Sequence, residues 1–141
     1  MAAEIMINGY KAYVLLDPCT QGGDLIYNNF CTLFKLPLTQ IEKKHLETAI
    51  QGSRSLMTNK TTVLINVQGY EEERTFYSAN LRNWVAILCE LALKKLKAIM
   101  NIHDNMISIQ PPGMTRYDLK MLQKTGNNSI RSTAMWMQHS K

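Results

Sequence analysis

The sequence has few cysteines, no long apolar run and no block of one charge, and each absence excludes a class of protein. Its 141 residues include three cysteines, Cys19, Cys31 and Cys89, with no C-x-x-C pair. An odd, scattered set argues against a disulfide framework, and with three scattered histidines it has no zinc-site spacing. We therefore expect no metal and no cofactor.

No apolar stretch approaches the roughly 18 residues that cross a bilayer, so we expect no membrane contact. No basic-then-apolar leader opens the chain, which favours a cytoplasmic protein.

The formal net charge of +5 permits nucleic-acid binding without favouring it. Basic residues are spread along the chain, and no strip combines them with aromatic residues for base stacking. The densest group, Lys94, Lys95 and Lys97, is typical of the solvated face of a helix. We do not expect the domain to bind nucleic acid, although one hypothesis of this kind is kept open. It depends on basic residues near the C-terminus, namely Arg116, Lys120, Lys124 and Arg131.

Short strands and tight turns dominate the first two thirds of the chain. Asn8-Gly9 lies between two apolar runs and predicts a β-hairpin. Alternation in "TTVLINVQGYEEERTFYSAN" predicts a second hairpin, with the acids 71–73 solvated at its tip. The segment "WVAIL" predicts a strand buried on both faces, and the leucine spacing after it predicts one helix, with Leu91 and Ile99 on its apolar side.

Two further hairpins and two short helical segments complete the predicted elements. "HLETAIQGSRSLMT" predicts strands on both sides of a polar turn, and Ile50 and Leu56 near that turn suggest a mobile hairpin that closes over a ligand. The alternative is an ordinary hairpin that rests on the core. A helical turn is expected before Pro37, a hairpin turn at Asp104-Asn105, and a short helix over 116–124.

The stretch "YVLLDPCTQGGDLI" carries the most chemistry. Asp17 ends an apolar run and is followed by a polar loop that contains Gly22 and Gly23. One carboxylate cannot be both acid and base, but two at hydrogen-bond distance share a proton and can. The chain has no second acid in a comparable setting, so catalysis by Asp17 requires a dimer. The alternative is that Asp17 caps its own turn, since Asp-Pro begins many turns.

In order, these motifs resemble the retropepsin-like aspartic protease domain of Ty3/Gypsy-type retrotransposon Gag-Pol polyproteins, the fungal type. The matching segments are "MINGYKAYVLLDPCTQGGDLI", "AIQGSRS", "VLINVQGYEEERTFYSANL" and "NWVAILCELAL". The resemblance implies a mainly β fold, a closed six-stranded acid-protease-like barrel with a flap hairpin and one short C-terminal helix. It places this domain in residues 1–110 and leaves 111–141 as a linker or tail, partly helical or disordered.

The resemblance also implies a function and a set of site residues. Asp17 would be the catalytic residue of a homodimeric aspartic endopeptidase that cleaves its own polyprotein, inside the cell or in virus-like particles. The active-site loop would comprise Pro18, Cys19, Thr20, Gly22 and Gly23, and the flap over the substrate Ile50, Gln51, Gly52 and Ser53.

Three residues depart from the family pattern and support an alternative function. Pro18 and Cys19 stand where the family has Ser/Thr and Gly, and Cys89 replaces a second Gly. Pro18 has neither a hydroxyl nor an N–H group, and side chains at the two glycine positions are expected to crowd the loop. Thr20 and the two glycines could substitute. The alternative is a catalytically inactive retropepsin-like fold that acts as a protein-interaction module or remains from a degenerate element.

Overall fold

The computed structural model describes residues 1–20, 22–47, 54–81 and 84–121, with the backbone alone at 44–47 and 54–56, and it consists mainly of β-strands. The strands are β1 Ala2–Ile7, β2 Tyr10–Leu16, β3 Asp24–Tyr27, β4 Thr39–Glu47, β5 Arg54–Val67, β6 Tyr70–Ala79, β7 Ala86–Leu88, β8 Ile99–Asn101, β9 Met106–Ile109 and β10 Tyr117–Asp118. The helices are α1 Asn28–Leu33 and α2 Glu90–Lys95. Neither helix of the described ranges is long and apolar enough to cross a membrane.

Six strands form a closed barrel. Neighbouring strands follow the order β1-β2-β7-β3-β6-β5, and β1 pairs again with β5 through Met6–Asn66 and Ile7–Ile65. Closure leaves no free edge within the ring. Strand β4 pairs with β5 outside the ring, and β8, β9 and β10 form a separate small sheet. The predicted closed six-stranded barrel is confirmed.

Two-residue turns set the register of the β1–β2 and β5–β6 hairpins. Asn8 and Gly9 have φ values of 48° and 84°, and Gln68 and Gly69 have 51° and 114°. Positive φ at both positions matches the right-handed twist of the flanking strands, which is why Asn-Gly is favoured there. The hairpins predicted from these residues are present as β1–β2 and β5–β6.

The main core fills the barrel with alternate residues of its strands. Ile5, Ile7, Val63 and Ile65 are at most 2% exposed, and Phe30 of α1 is fully buried. Burial of each such side chain stabilises the fold by about 1.5–3 kcal/mol. The predicted central strand is buried throughout, because all three residues of β7 are buried. Core packing thus holds β2, β3 and β7 together beneath the loop that follows β2.

A second apolar cluster lies apart from the main core. Leu15, Ile87 and Leu25 are register partners across β2, β7 and β3, so they form one row on the sheet. Met57 of β5 is fully buried in the same cluster. The β4–β5 hairpin is therefore anchored on the sheet face next to the end of β2.

The structure corrects two expectations about solvent exposure. Leu91 and Ile99, predicted on the apolar side of the helix, are 66% and 58% exposed. Helix α2 has only six residues, so its buried side is narrow and Ala92 and Leu93 occupy it. The acids 71–73 were predicted to be solvated at a hairpin tip, and they lie at the start of β6, where Glu71 and Glu73 are exposed as predicted. The exception is Glu72, whose side chain is only 9% exposed because it pairs with two cations.

The C-terminal part of the described chain is a strand where the sequence pattern suggested a helix. Tyr117 and Leu119 are at least half buried and alternate with exposed Asp118 and Lys120, which is strand periodicity. Strand β10 pairs with β9, and Tyr117 donates its hydroxyl proton to the carbonyl oxygen of Val67. The predicted division at residue 110 stays a prediction, and residues 122–141 of the predicted tail lie outside the described residues.

Candidate active site

Asp17 lies at the end of a buried central strand. Strand β2 runs parallel to β7, with Leu16 opposite Leu88, and the Asp17 amide donates to the Leu88 carbonyl oxygen at 3.0 Å. Asp17 itself is 8% exposed. The pairing continues one residue past the strand, so the position of this carboxylate is set by the barrel rather than by a free loop.

The loop that follows holds the Asp17 carboxylate in one orientation. The Cys19 amide donates to Oδ1 at 2.9 Å, and the Thr20 hydroxyl donates to Oδ2 at 2.5 Å. Thr20 is fully buried, so its hydroxyl is shielded from water. Hydrogen bonds to an ionised carboxylate are short and about twice as strong as neutral ones. Thr20 thus supplies, within one chain, a hydroxyl that hydrogen-bonds the Asp17 carboxylate, a group that Pro18 lacks.

Neither cysteine at a family glycine position needs glycine's backbone freedom here. Cys89 has φ −88° and ψ −177°, an extended conformation open to any residue, and Cys19 is not among the residues with positive φ. Gly22 and Gly23 instead have φ values of 95° and 140°, which L side chains rarely adopt. These two positions therefore do not require a left-handed backbone, which lies farther along the loop, and the expected crowding by their side chains stays a prediction.

Gly23 is also a point of close packing. A Cβ atom there would lie 2.5 Å from Cε2 and 2.8 Å from Cδ2 of Tyr77. A Cβ atom does not come that close to a carbon atom to which it is not bonded, so the Tyr77 ring lies directly against the Gly23 backbone. The loop therefore needs glycine at position 23 for both conformation and space.

Asp24, at the far end of the loop, is a buried acid that the sequence analysis did not single out. It is 4% exposed, its Oδ1 accepts from the Cys89 amide at 2.8 Å, and its Oδ2 accepts from Arg74 Nε at 2.5 Å. The sequence carried one local signal of an ion pair: alternation along β6 places the side chains of Glu72 and Arg74 on the same side of the strand. The partner's identity was hidden because it lies 50 residues away in sequence.

The two buried cysteines are poor nucleophiles, whereas Cys19 is exposed. Burial raises the pKa of Cys31 to about 11. Burial, together with the nearby Asp24 carboxylate, also raises the pKa of the Cys89 thiol. A thiol with a raised pKa is largely uncharged at neutral pH and reacts slowly. Of the three cysteines, Cys19 is therefore the one whose thiol is accessible to reagents in solution.

The predicted flap is present in part. Strands β4 and β5 form an antiparallel hairpin whose last described pair is Glu47 and Arg54. The four predicted flap residues, Ile50, Gln51, Gly52 and Ser53, lie outside the described residues.

A cleft of about 480 Å³ opens beside the Asp17 loop. Its lining is mostly apolar and includes charged side chains of both signs. It is lined by Pro18, Glu90, Leu93, Lys94, Lys97, Ala98 and Met100.

The described chain supplies one carboxylate for general acid–base chemistry at this site. Asp17 and Asp24 are the buried acids of the described residues. Asp24 is bound to a backbone amide and to a guanidinium, and no hydrogen bond joins it to Asp17 among the described residues. A shared-proton dyad would need the Asp17 of a second copy.

Comparisons with known proteins find the fold in solved structures alone. No model of a known protein family matches the chain, and no curated protein sequence matches it. A solved structure of the retroviral protease-like domain of Ddi1 from Leishmania major matches with a TM-score of 0.62 and 12% identity. That match covers 89% of this chain and 96% of the other. The EIAV protease in complex with the inhibitor HBY-793 matches with a TM-score of 0.58 and 19% identity, over 72% of this chain and 92% of the other.

These matches establish the architecture of the chain. Both structures share its closed barrel across nearly their whole length, so the chain has a retropepsin-like acid-protease fold. At 12% and 19% identity the likeness shows the fold alone. One of the two is a domain of Ddi1, so this fold also occurs outside retroviruses.

Proposed function

We propose that the chain is an aspartic endopeptidase that works as a homodimer, with the two Asp17 carboxylates forming the catalytic dyad. The observation that carries this proposal is the setting of Asp17, a buried carboxylate that the Thr20 hydroxyl and the Cys19 amide orient at the end of a barrel strand. The retropepsin-like fold supports it independently.

The chemistry would divide between the two copies of Asp17. The ionised carboxylate draws a proton from a water molecule, which attacks the scissile carbonyl carbon, while the protonated carboxyl donates its proton to the carbonyl oxygen. Collapse of the tetrahedral intermediate breaks the C–N bond. The amine leaves with the proton that the first carboxylate took from water, and the second carboxylate recovers its proton from a hydroxyl group of the intermediate. Thr20 Oγ1 and the Cys19 amide already bind the two oxygens of each carboxylate, so the dyad would form without rearrangement of the loop.

A polypeptide in extended conformation is the substrate that this geometry favours. The β4–β5 hairpin is anchored next to Asp17 by Met57, so a peptide between hairpin and sheet would add main-chain hydrogen bonds as a strand does. Tyr27, Tyr77 and Trp84 lie partly buried around the second apolar cluster and would contact substrate side chains. We place the dimer contact at the cleft beside Pro18, since that surface adjoins the Asp17 loop.

The origin that we propose is a polyprotein of a Ty3/Gypsy-type retroelement of the fungal kind, processed inside the cell or in virus-like particles. The order of the four matching sequence segments supports it. The reading frame around the coding sequence is then expected to encode reverse transcriptase as well, and a frame without any such neighbour would contradict this origin.

Cleavage of a mixed peptide library at mildly acidic pH tests the enzymatic function. We expect cleavage by the wild-type chain, none by Asp17→Asn, and wild-type activity from Asp118→Asn, the same chemical change at an exposed site. Excess Asp17→Asn added to wild type should lower activity, because mixed dimers lack one member of the dyad. No cleavage by a folded, dimeric wild-type protein would leave the alternative, an inactive interaction module, which the exposed Pro18 favours.

A further inference from the structure

The loop from Asp17 to Asp24 is held against one short corner of the barrel, where β7 meets α2. Near its start, the Thr20 carbonyl oxygen accepts from the Glu90 amide at 3.1 Å. At its end, Asp24 Oδ1 accepts from the Cys89 amide at 2.8 Å. Two neighbouring amides of the corner thus bind two separate points of the loop. The bond to Thr20 joins two backbone groups, whereas the bond at the end of the loop depends on the orientation of the Asp24 side chain.

Arg74 fixes that orientation. Its Nε donates to Asp24 Oδ2 at 2.5 Å, and its Nη1 lies 3.5 Å from Glu72 Oε1. Glu72 Oε2 in turn pairs with Nζ of Lys95 on α2 at 2.5 Å. Each end of the guanidinium therefore has a carboxylate partner, and the chain of pairs leads from the loop through β6 to the helix that follows the corner.

Burial makes this pair a geometric constraint more than a source of stability. Asp24 is 4% exposed and the Arg74 side chain 16%. For a buried ion pair the cost of removing both charges from water offsets much of their attraction, so such pairs add little net stability. What they do supply is short, directional hydrogen bonding with both groups held in place.

We propose that Asp24 and Arg74 are positioning residues for catalysis: together they lock the Asp17 loop onto the 88–90 corner at the geometry that the dyad requires. This inference rests on the proposed protease function. Neither side chain contacts the Asp17 carboxylate or the reacting atoms in this arrangement, and both act through the backbone of the loop. Misplacement of a reacting group by about 1 Å can cost about 100-fold in rate.

Three variants distinguish a role of the Asp24–Arg74 pair in positioning the Asp17 loop from a role only in the stability of the fold. Arg74→Met removes the guanidinium, Arg74→Lys keeps the charge without the fork, and Asp24→Asn keeps an acceptor for the Cys89 amide without the charge. Lys11→Met is the matched control, because it breaks an exposed ion pair with Glu4, 3.7 Å long, that has no link to the loop.

Amide hydrogen exchange measured by NMR gives a readout that needs no activity. In Arg74→Met the amides of Cys89 and Glu90 should lose more protection than the Asn8 amide, which donates to Leu64 O at 2.8 Å. Loss of protection by the same factor at all three amides would mean that Arg74 only stabilises the fold, and no loss would mean that it does not hold the loop. Either result would overturn the proposal.

Peptide cleavage gives the second readout. We expect kcat to fall by about 10- to 100-fold in Arg74→Met with KM nearly unchanged, partial recovery in Arg74→Lys, and no change in Lys11→Met. Local loss of protection with unchanged kcat would show an anchor without a catalytic role and would also overturn the proposal. If wild type cleaves nothing, the protease function fails by itself, and the positioning role in catalysis falls with it, while exchange still reports whether the pair anchors the loop.

Discussion

Substitution of Gly23 by alanine tests whether the structure has placed the Asp17 loop correctly. Two costs add at this position. An L residue at a positive φ loses about 1–2 kcal/mol, and here φ is 140°. The new Cβ would also lie 2.5 Å from the Tyr77 ring, and overpacking of this kind costs about 1–3 kcal/mol. The expected loss for Gly23→Ala is therefore about 2–5 kcal/mol, a large fraction of the roughly 5–15 kcal/mol of a whole domain.

Gly9→Ala is the matched control, since Gly9 also has a positive φ, 84°, but no atom within 4 Å of a Cβ. It should lose only the conformational part, about 1–2 kcal/mol. Urea unfolding followed by circular dichroism measures both losses. In a double variant, Tyr77→Ala should recover the overpacking part of the Gly23→Ala loss, which a double-mutant cycle measures. Equal losses at Gly23 and Gly9, or no coupling with Tyr77, would refute the packing of the loop against β6.

Three further predictions concern single side chains. Thr20→Val should lose about 1.5–3 kcal/mol of stability in urea unfolding and most of the peptidase activity, because it deletes a buried hydrogen bond to a carboxylate. Thr20→Ser should keep both the stability and the activity. Equal behaviour of the two variants would contradict the hydrogen bond between Thr20 and Asp17. Since burial raises the pKa of Cys31 from 9.0 to about 11, the folded state keeps a proton that the unfolded chain releases. Stability should therefore fall as pH rises through this interval, and a pH series of unfolding midpoints should show a flatter decline in Cys31→Ala. Leu119→Ala should lower the free energy of unfolding by about 2–5 kcal/mol, because Leu119 is 6% exposed and belongs to the main core. Leu91→Ala, at a residue that is 66% exposed, should lower it by less than about 0.5 kcal/mol. A neutral Leu119→Ala would support a domain that ends at residue 110.

Local signals in the sequence were enough for much of the barrel. Asn8-Gly9 and the alternation of Val63, Ile65 and Val67 with polar residues are interactions within a few residues, and both hairpins follow from them. Closure of the ring through Ile7 and Ile65 was predicted only by resemblance, since no local pattern specifies a pair 58 positions apart in the numbering.

Prediction failed where a short element depends on tertiary packing. In 116–124 the residue spacing fits a helix about as well as a strand, and the choice is made by β9, which offers a free edge to residues 117–118. Leu91 looked like a core residue because it continues the leucine spacing, but the buried side of the six-residue α2 is narrow, and Ala92 and Leu93 occupy it in place of Leu91.

The buried acid pair was beyond sequence reasoning for a related reason. Asp24 and Arg74 are each ordinary in their own segments, one after a glycine pair and one in a run of acids. Only the parallel pairing of β3 with β6, with Asp24 opposite Phe76, brings the two side chains together. Charge complementarity across a long sequence separation has no local signature, so it can be assigned only once the register is known.

The backbone conformation of the Asp17 loop bears on the three departures from the family pattern, Pro18, Cys19 and Cys89. Cys19 and Cys89 adopt ordinary backbone conformations, and the positive φ values of the loop lie at Gly22 and Gly23. The left-handed backbone of the loop therefore lies three and four residues after Cys19, and neither cysteine occupies a position that needs glycine's conformational freedom. Pro18 is different, because no other residue can restore a backbone N–H group at its position. It is exposed and borders the cleft where we place the second copy. Its effect is thus expected on the association of the two subunits, whereas the orientation of each Asp17 carboxylate depends on Thr20 and Cys19 within one chain.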